Sequence, residues 1–182
     1  MNLLDLDTRW KRFNDPDRID PTSGAGFAGV FDIGFEEPQD WLHGARSSDD
    51  MVVGDDRLTP DLCRIGGRYF LRALLPLGLR GAQETFHFVL WVEITRAAFD
   101  HYLDSIAETS GFTAEGLTAN DLPGFDDGPV PVALHADKDG SRPIASAQDG
   151  PLAEAQRDGI SFDDLLDIYA ASGRDIRPHL SA

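Results

Sequence analysis

Three groups of side chains in this chain have the types that chemistry needs. Cys63 is a potential nucleophile, and His87 and His101 are imidazoles that would have to activate it. Cysteine attacks as the thiolate, so it needs a neighbouring base or cation. Nothing in the spacing brings either histidine to Cys63, and a lone cysteine flanked by Leu62 and Ile65 reads as a small buried hydrophobe. His135, Asp137 and Asp139 fall at alternate positions just before Gly140. A calcium loop needs more oxygen ligands and a distal bidentate glutamate, whereas a hairpin turn accounts for the same residues without a ligand. Gly24, Gly26 and Gly29 spell G-x-G-x-x-G. A dinucleotide site places that motif after a strand and at the opening of a helix. Here Asp20–Ser23 precedes it and the strand-like Val30–Ile33 follows, so the order is inverted and a loop is expected. There is no G-x-S-x-G elbow for a nucleophilic serine.

Composition narrows the classes further. The 182 residues carry 16 basic and 32 acidic side chains, a net charge of −16. Nucleic-acid affinity is built by neutralising phosphates with Lys and Arg, so this balance, with no basic run, argues against nucleic acid and against an anionic membrane surface. One cysteine allows neither an internal disulfide nor a Cys-based zinc site, and the five histidines are scattered. No metal and no cofactor is expected. Met1–Asp7 lacks the basic start of a signal peptide, and no window approaches about 20 apolar residues, so a cytoplasmic location is expected.

The elements that must position any site are clearest in the middle. Arg68–Leu75 and Thr85–Ile94 are apolar, alternating runs joined by the link 76–84, and they read as an antiparallel pair. Phe86, Phe88, Leu90, Val92 and Ile94 share one face of the second strand; Tyr69, Leu71, Ala73 and Leu75 share one face of the first. Matching core to core fixes the parity, and one allowed register sets Arg68 opposite Glu93 and Phe70 opposite Trp91. Thr95 reads as the N-cap of a helix with Phe99, Tyr102, Leu103 and Ile106 inward, ended by Gly111. Val130–His135 is strand-like, and Pro129 and Pro131 place it at an edge. Asp137–Gly140 turns into a strand over Arg142–Ala145, and a short helix covers Pro151–Asp158. Ser161 and Asp164 form a capping box for a helix that buries Leu165, Leu166, Ile168 and Tyr169 and stops at Gly173. Upstream, a short strand over Phe27–Ile33, a helix over Glu36–Gly44 with Trp41 and Leu42 inward, and an acidic loop over Ser47–Arg57 are expected. Residues 112–128 read as turns.

The fold class is therefore α+β: a mainly antiparallel sheet with a central hairpin at about 68–75 and 85–94, helices packed on one face. One domain spans 1–182, with a less regular segment, 1–58, covering the core 59–173. The second face of the hairpin gathers Arg68, Phe70, Arg72, His87, Trp91 and Glu93. Aromatics mixed with both charge signs are either covered by the N-terminal segment or left as a binding surface.

These segments together resemble the bacterial domain of unknown function 2199 family. The likeness runs through Leu58–Ile65, Arg68–Arg72, Thr85–Thr95 around Trp91, and Phe99–Tyr102. It resumes at Gly116–Phe125, Ser141–Pro143 and Pro151–Ile160, about two thirds of the chain in order and spacing. It implies a compact α+β domain and supplies no catalytic residues. Two departures stand out. Many relatives look as if they begin with a paired-Cys, zinc-ribbon-like element, and this chain has no C-x-x-C, so the resemblance carries no metal over to the first 58 residues. Where relatives often read His-Pro-Leu, this chain has Gly150–Leu152.

The expected function is a non-enzymatic binding or regulatory domain, with neutralisation of a partner protein as one form of it. Its acidity would steer a basic partner. The alternative is a small hydrolase using His87, Glu93 or the His135–Asp139 cluster, which needs a concave site with convergent polar groups.

Overall fold

The computed structural model describes residues 2–19, 24, 26 and 28–180. In chain order its main elements are α1 (Thr8–Phe13), β1 (Ile33–Gly34), β2 (Met51–Val53), β3 (Asp56–Leu58), β4 (Leu62–Ile65), β5 (Arg68–Gly78), β6 (Thr85–Ile94), α2 (Arg96–Glu108), β7 (Phe112–Thr118), β8 (Pro131–Ala136), β9 (Ile144–Ala147), α3 (Gly150–Asp158) and α4 (Phe162–Ala171). The chain is α+β, and all the strands join one mixed sheet.

The β5–β6 hairpin is the spine of that sheet. Its strands pair antiparallel over ten positions, from Tyr69 opposite Ile94 to Gly78 opposite Thr85. Parity is as the hydrophobic alternation requires, but Arg72 rather than Phe70 faces Trp91, a shift of two residues from the expected register. The shift follows from the length of β5, which runs on through Pro76, Leu77 and Gly78 and shortens the connection. Pro76 is tolerated inside the strand because of the side its missing donor faces. Arg72 and Leu74 send their N–H groups away from β6, to Asp61 and Pro143 carbonyls, and Pro76 falls in the same phase.

Each long strand is shared by two neighbours on its outer edge. β5 pairs with β4 along its first half and in parallel with β9 at Leu74. β6 pairs with β7 at Val92 and Glu93 and in parallel with β1 at Phe88 and Val89. Because β7, β8 and β9 pair in succession, the sheet closes on itself through β5, β6, β7, β8 and β9. β8 is thus an interior strand, paired on both sides, and not the edge its prolines suggest. Residues 112–118, expected as turns, form β7. Gly116 makes that crossing possible: a Cβ there would collide with the Glu93 carbonyl and the Val92 side chain.

The main core lies inside this closed sheet and under the helices. Leu71, Ala73, Leu75, Phe86, Phe88 and Leu90 are fully buried with Val132, Ala145, Leu165 and Tyr169. Tyr169 stacks on Phe31 at 4.0 Å, and its hydroxyl donates to the Phe31 carbonyl and accepts from the Phe31 N–H. The capping box forms: Ser161 Oγ accepts from the Asp164 N–H, and the Asp164 carboxylate accepts from the Ser161 N–H. Thr95 caps α2 by accepting from the Ala98 N–H. The buried face of α2 is narrower than expected. Tyr102 and Ser105 are buried, while Leu103 and Ile106 are 40% and 51% exposed, because α2 packs mainly on β5 and β7. It ends at Thr109, which takes the left-handed conformation (φ 54°) in place of a glycine.

The N-terminal part departs most from expectation. Residues 36–44 form bends around Trp41 rather than a helix, and Leu42 lies 87% exposed. Of the strand expected over 27–33, only Ile33 lies in a strand, and Phe27 lies outside the described residues. The segment 47–57 contains the β2–β3 hairpin. It closes with Val53 opposite Asp56 around Gly54, whose positive φ of 63° suits a two-residue hairpin turn.

Candidate ligand-binding groove

The face carrying Arg68, Phe70, Arg72, His87, Trp91 and Glu93 is covered. Phe70 and Trp91 are fully buried in a second apolar cluster with Trp41, Leu58 and Cys63. The covering strap is fastened by polar contacts. Trp91 Nε1 donates to the Phe35 carbonyl at 3.0 Å, and Asn120 accepts from the Trp91 N–H while donating to the Glu37 carbonyl. Arg72, 7% exposed, reaches the Pro60 carbonyl and the Glu36 carboxylate, both at 3.3 Å, with its guanidinium 5.9 Å from the Trp91 ring. Burial pushes the Glu36 carboxyl up, but Arg72 and Arg46 outweigh it and hold it below its usual range. At the rim, Arg68 bridges Glu93 and Asp40, and His87 Nδ1 lies 3.2 Å from Asp32. Only Arg68, Glu93 and His87 of the six reach solvent appreciably, so this side is an interior with a charged border rather than an open sheet face.

The candidate catalytic groups do not converge. Cys63 is 1% exposed, and burial pushes its thiol up to about 12, the opposite of what a nucleophile requires. His87 and Glu93 stand six residues apart on β6, roughly 20 Å at strand rise, each held by its own partner. His135 lies 3.1 Å from Asp137 on an exposed turn, and Asp139 accepts from the Ser141 N–H within that turn. Among the described residues no group of three or more His, Cys, Asp or Glu side chains is placed to hold a metal ion. Gly24, Gly26 and Gly29 precede β1, and among the described residues they open no helix.

The opposite face of the β2–β3–β4 ribbon is the open one. Strand pairing sets Val52, Arg57, Arg64 and Tyr69 directly opposite one another in a single transverse row. The adjacent row, Leu58, Cys63 and Phe70, points into the buried cluster, as period-two alternation demands. The open row meets the first turns of α2 to make a groove of about 490 Å³. It is lined by Thr59, Leu62 and Tyr69, by Phe99 and Asp100, and by the three arginines 57, 64 and 96. Tyr69 and Phe99 pack at 5.1 Å and form an aromatic floor.

The electrostatics of this groove are unusual for so acidic a chain. Arg57 and Arg64 are Cα partners, and like charges directly opposite each other destabilise a sheet. Arg64 donates from Nε and Nη2 to the Asp55 carbonyl and forms no salt bridge, although the nearby Asp56 carboxylate feels its charge. The Arg57 side chain makes no hydrogen bond or ion pair to the described residues. Arg96 meets Asp100 at 3.7 Å, both side chains well exposed. The Tyr69 hydroxyl has no partner among the described residues. Arg57 and Arg64 escape a reading of the sequence because residues 51–58 resemble a polar loop; only the pairing of β3 with β4 makes the two residues neighbours.

A family model described as an uncharacterised protein conserved in bacteria (DUF2199) matches residues 21–160, so the chain belongs to that family. Comparison with curated proteins and with solved structures finds no match.

Proposed function

We propose, for this member of an uncharacterised bacterial family, a non-enzymatic binding role in which the groove between the β2–β4 ribbon and α2 takes an anionic partner. The observation that carries the proposal is the Arg57–Arg64 pair: two arginines directly opposite each other on adjacent strands, neither in a salt bridge to a carboxylate, with Asp56 acting on Arg64 only at longer range. Such a pair costs stability in the free protein and is offset when an anion bridges it. An open aromatic floor beside it supplies area for a ligand body. The buried high-pKa thiol and the dispersed histidines support binding over the hydrolase alternative. A panel of inorganic phosphate, citrate and a glutamate-rich peptide, titrated into isotope-labelled protein, tests the proposal. Amide shifts should concentrate at Leu62, Arg64, Tyr69 and Phe99 for at least one anion, and vanish in an Arg57→Glu/Arg64→Glu variant. Shifts for none of the three, or shifts unchanged in that variant, would remove the site.

A further inference from the structure

We infer, building on the anion-binding role proposed above, that the groove selects a phosphate monoester carried on an aromatic body, an aryl phosphate. Three observations converge on this class.

The first is charge. The ionisable lining comprises Arg57, Arg64, Arg96 and Asp100 together with Tyr69 and Cys63. Three guanidiniums less one carboxylate leave two positive charges on the lining itself, with Asp56 acting on Arg64 from outside it. A carboxylate neutralises one of them, whereas a phosphate monoester near neutral pH carries close to two negative charges on one head group. The second is donor supply. The Arg57 fork is wholly free, Arg64 has Nη1 uncommitted, and the Tyr69 hydroxyl has no partner. Those donors exceed what two carboxylate oxygens use and suit the three acceptor oxygens of a phosphoryl group. Thr59 is not part of this set, since its hydroxyl is spent on the Leu62 carbonyl and on the Asp61 and Leu62 N–H groups.

The third is the floor. Tyr69, Phe99 and Leu62 line the groove beside the guanidiniums, with the two rings inclined at 49°. A bare ion would leave that apolar surface wet; a flat ring attached to the phosphoryl group would cover it. The volume, about 490 Å³, lies within the range of small-molecule sites. No covalent step is involved: the phosphate ester is bound and released intact.

Calorimetric titration of the full chain with phenyl phosphate, inorganic phosphate and phenylacetate tests the inference. Phenyl phosphate should bind at least tenfold more tightly than either of the others. Phe99→Leu should weaken phenyl phosphate severalfold and leave inorganic phosphate unchanged. Arg57→Lys, which keeps the charge and loses the fork, should weaken both phosphates. A phosphotyrosine-containing pentapeptide forms a further arm: tighter binding than phenyl phosphate identifies a polypeptide source, and equal binding a free small molecule. Phenylacetate binding as tightly as phenyl phosphate would overturn the phosphate assignment while leaving an anion groove in place. Inorganic phosphate binding as tightly as phenyl phosphate would overturn the aromatic part. Absence of binding by all three, together with no shift for the anions of the earlier panel, would remove the groove as a site altogether.

Discussion

The Arg57–Arg64 pair should register as a repulsive coupling energy in the free protein. Directly opposite residues have Cβ atoms about 5 Å apart, and a charge separation only slightly larger, about 6 Å, sets the upper bound of the repulsion. Two unit charges at about 6 Å in water repel by roughly 0.7 kcal/mol. Screening lowers this to about 0.6 kcal/mol at 10 mM salt, where the Debye length is ~30 Å, and to about 0.1 kcal/mol at 1 M, where it is ~3 Å. A double-mutant cycle with Arg57→Gln, Arg64→Gln and the double variant isolates this pairwise energy from the change in net charge, which a single variant does not. Urea unfolding at the two salt concentrations supplies the free energies, provided that the m-value is constant across the cycle. At low salt each single variant should recover most of the repulsion and the second substitution should add little. Saturating phenyl phosphate should reverse the sign, because each guanidinium then improves the site for the other. Zero or attractive coupling at 10 mM salt would refute the reasoning. The two charges would then not face each other, and the open row would lose its claim to be a site.

Perturbations at four further residues test the architecture. Phe88→Asp should abolish folding, since an unpaired carboxylate would sit in the core beside Phe86 and Phe125; a cooperative thermal transition in the variant would contradict this. Trp91→Ala should cost about 3–5 kcal/mol by equilibrium unfolding, the range for a fully buried large aromatic, and a loss under 1 kcal/mol would mean that the strap over it is open. Ser161→Ala should cost roughly 0.5–2 kcal/mol by removing the cap of α4, with the helical circular-dichroism signal following. Cys63 should resist Ellman's reagent in the native state at pH 8. Its raised folded pKa also means that stability is intact below the unfolded value of about 8.5 and is lost as pH climbs toward 12, so Cys63→Ala should lose less stability than the parent chain between pH 8.5 and 10.5.

The central hairpin was legible because its alternation is long and its two faces differ. Phe88 and Leu90 demand one side, and any one-residue slip would expose them. The register was not legible, because parity leaves shifts of two residues open and Pro76 hides the true end of β5. The C-terminal helix was legible from a local signal, the Ser161–Asp164 box. What escaped detection depended on pairing at a distance. β7 contains Gly116 and reads as a turn until β6 is beside it, and β8 looks like an edge until β9 supplies its second partner. The arginine groove belongs to the same class. Arg57 and Arg64 are seven residues apart in an acidic, glycine-containing stretch, and nothing local marks them as neighbours. The mixed face drew attention in the sequence because its charges are strung along two obvious strands. Those charges turn out to border a buried tryptophan, and the open face lies on the other side of the sheet.

Strand alternation divides the ribbon β2–β4 between two tasks. One row, Leu58, Cys63 and Phe70, stabilises the strap side through burial; the next, Val52, Arg57, Arg64 and Tyr69, faces outward. A side chain on the open row can therefore change with little effect on the buried one, which lets a charged groove coexist with an otherwise apolar fold. The surrounding charge of −16 does not cancel that groove. At physiological salt the Debye length is ~8 Å, so most of the repulsion between a ligand and distant carboxylates is screened, while guanidinium contacts at hydrogen-bond distance are not. The long-range field then works as a filter. A polyanion whose charges extend beyond the groove meets the acidic surface and is repelled along its length. On the proposed reading, a compact dianion with an apolar body would meet the three arginines, the single Asp100 carboxylate and the Tyr69–Phe99 floor. On that same reading, the excess of acidic residues would then disfavour nucleic acid relative to a small, doubly charged group.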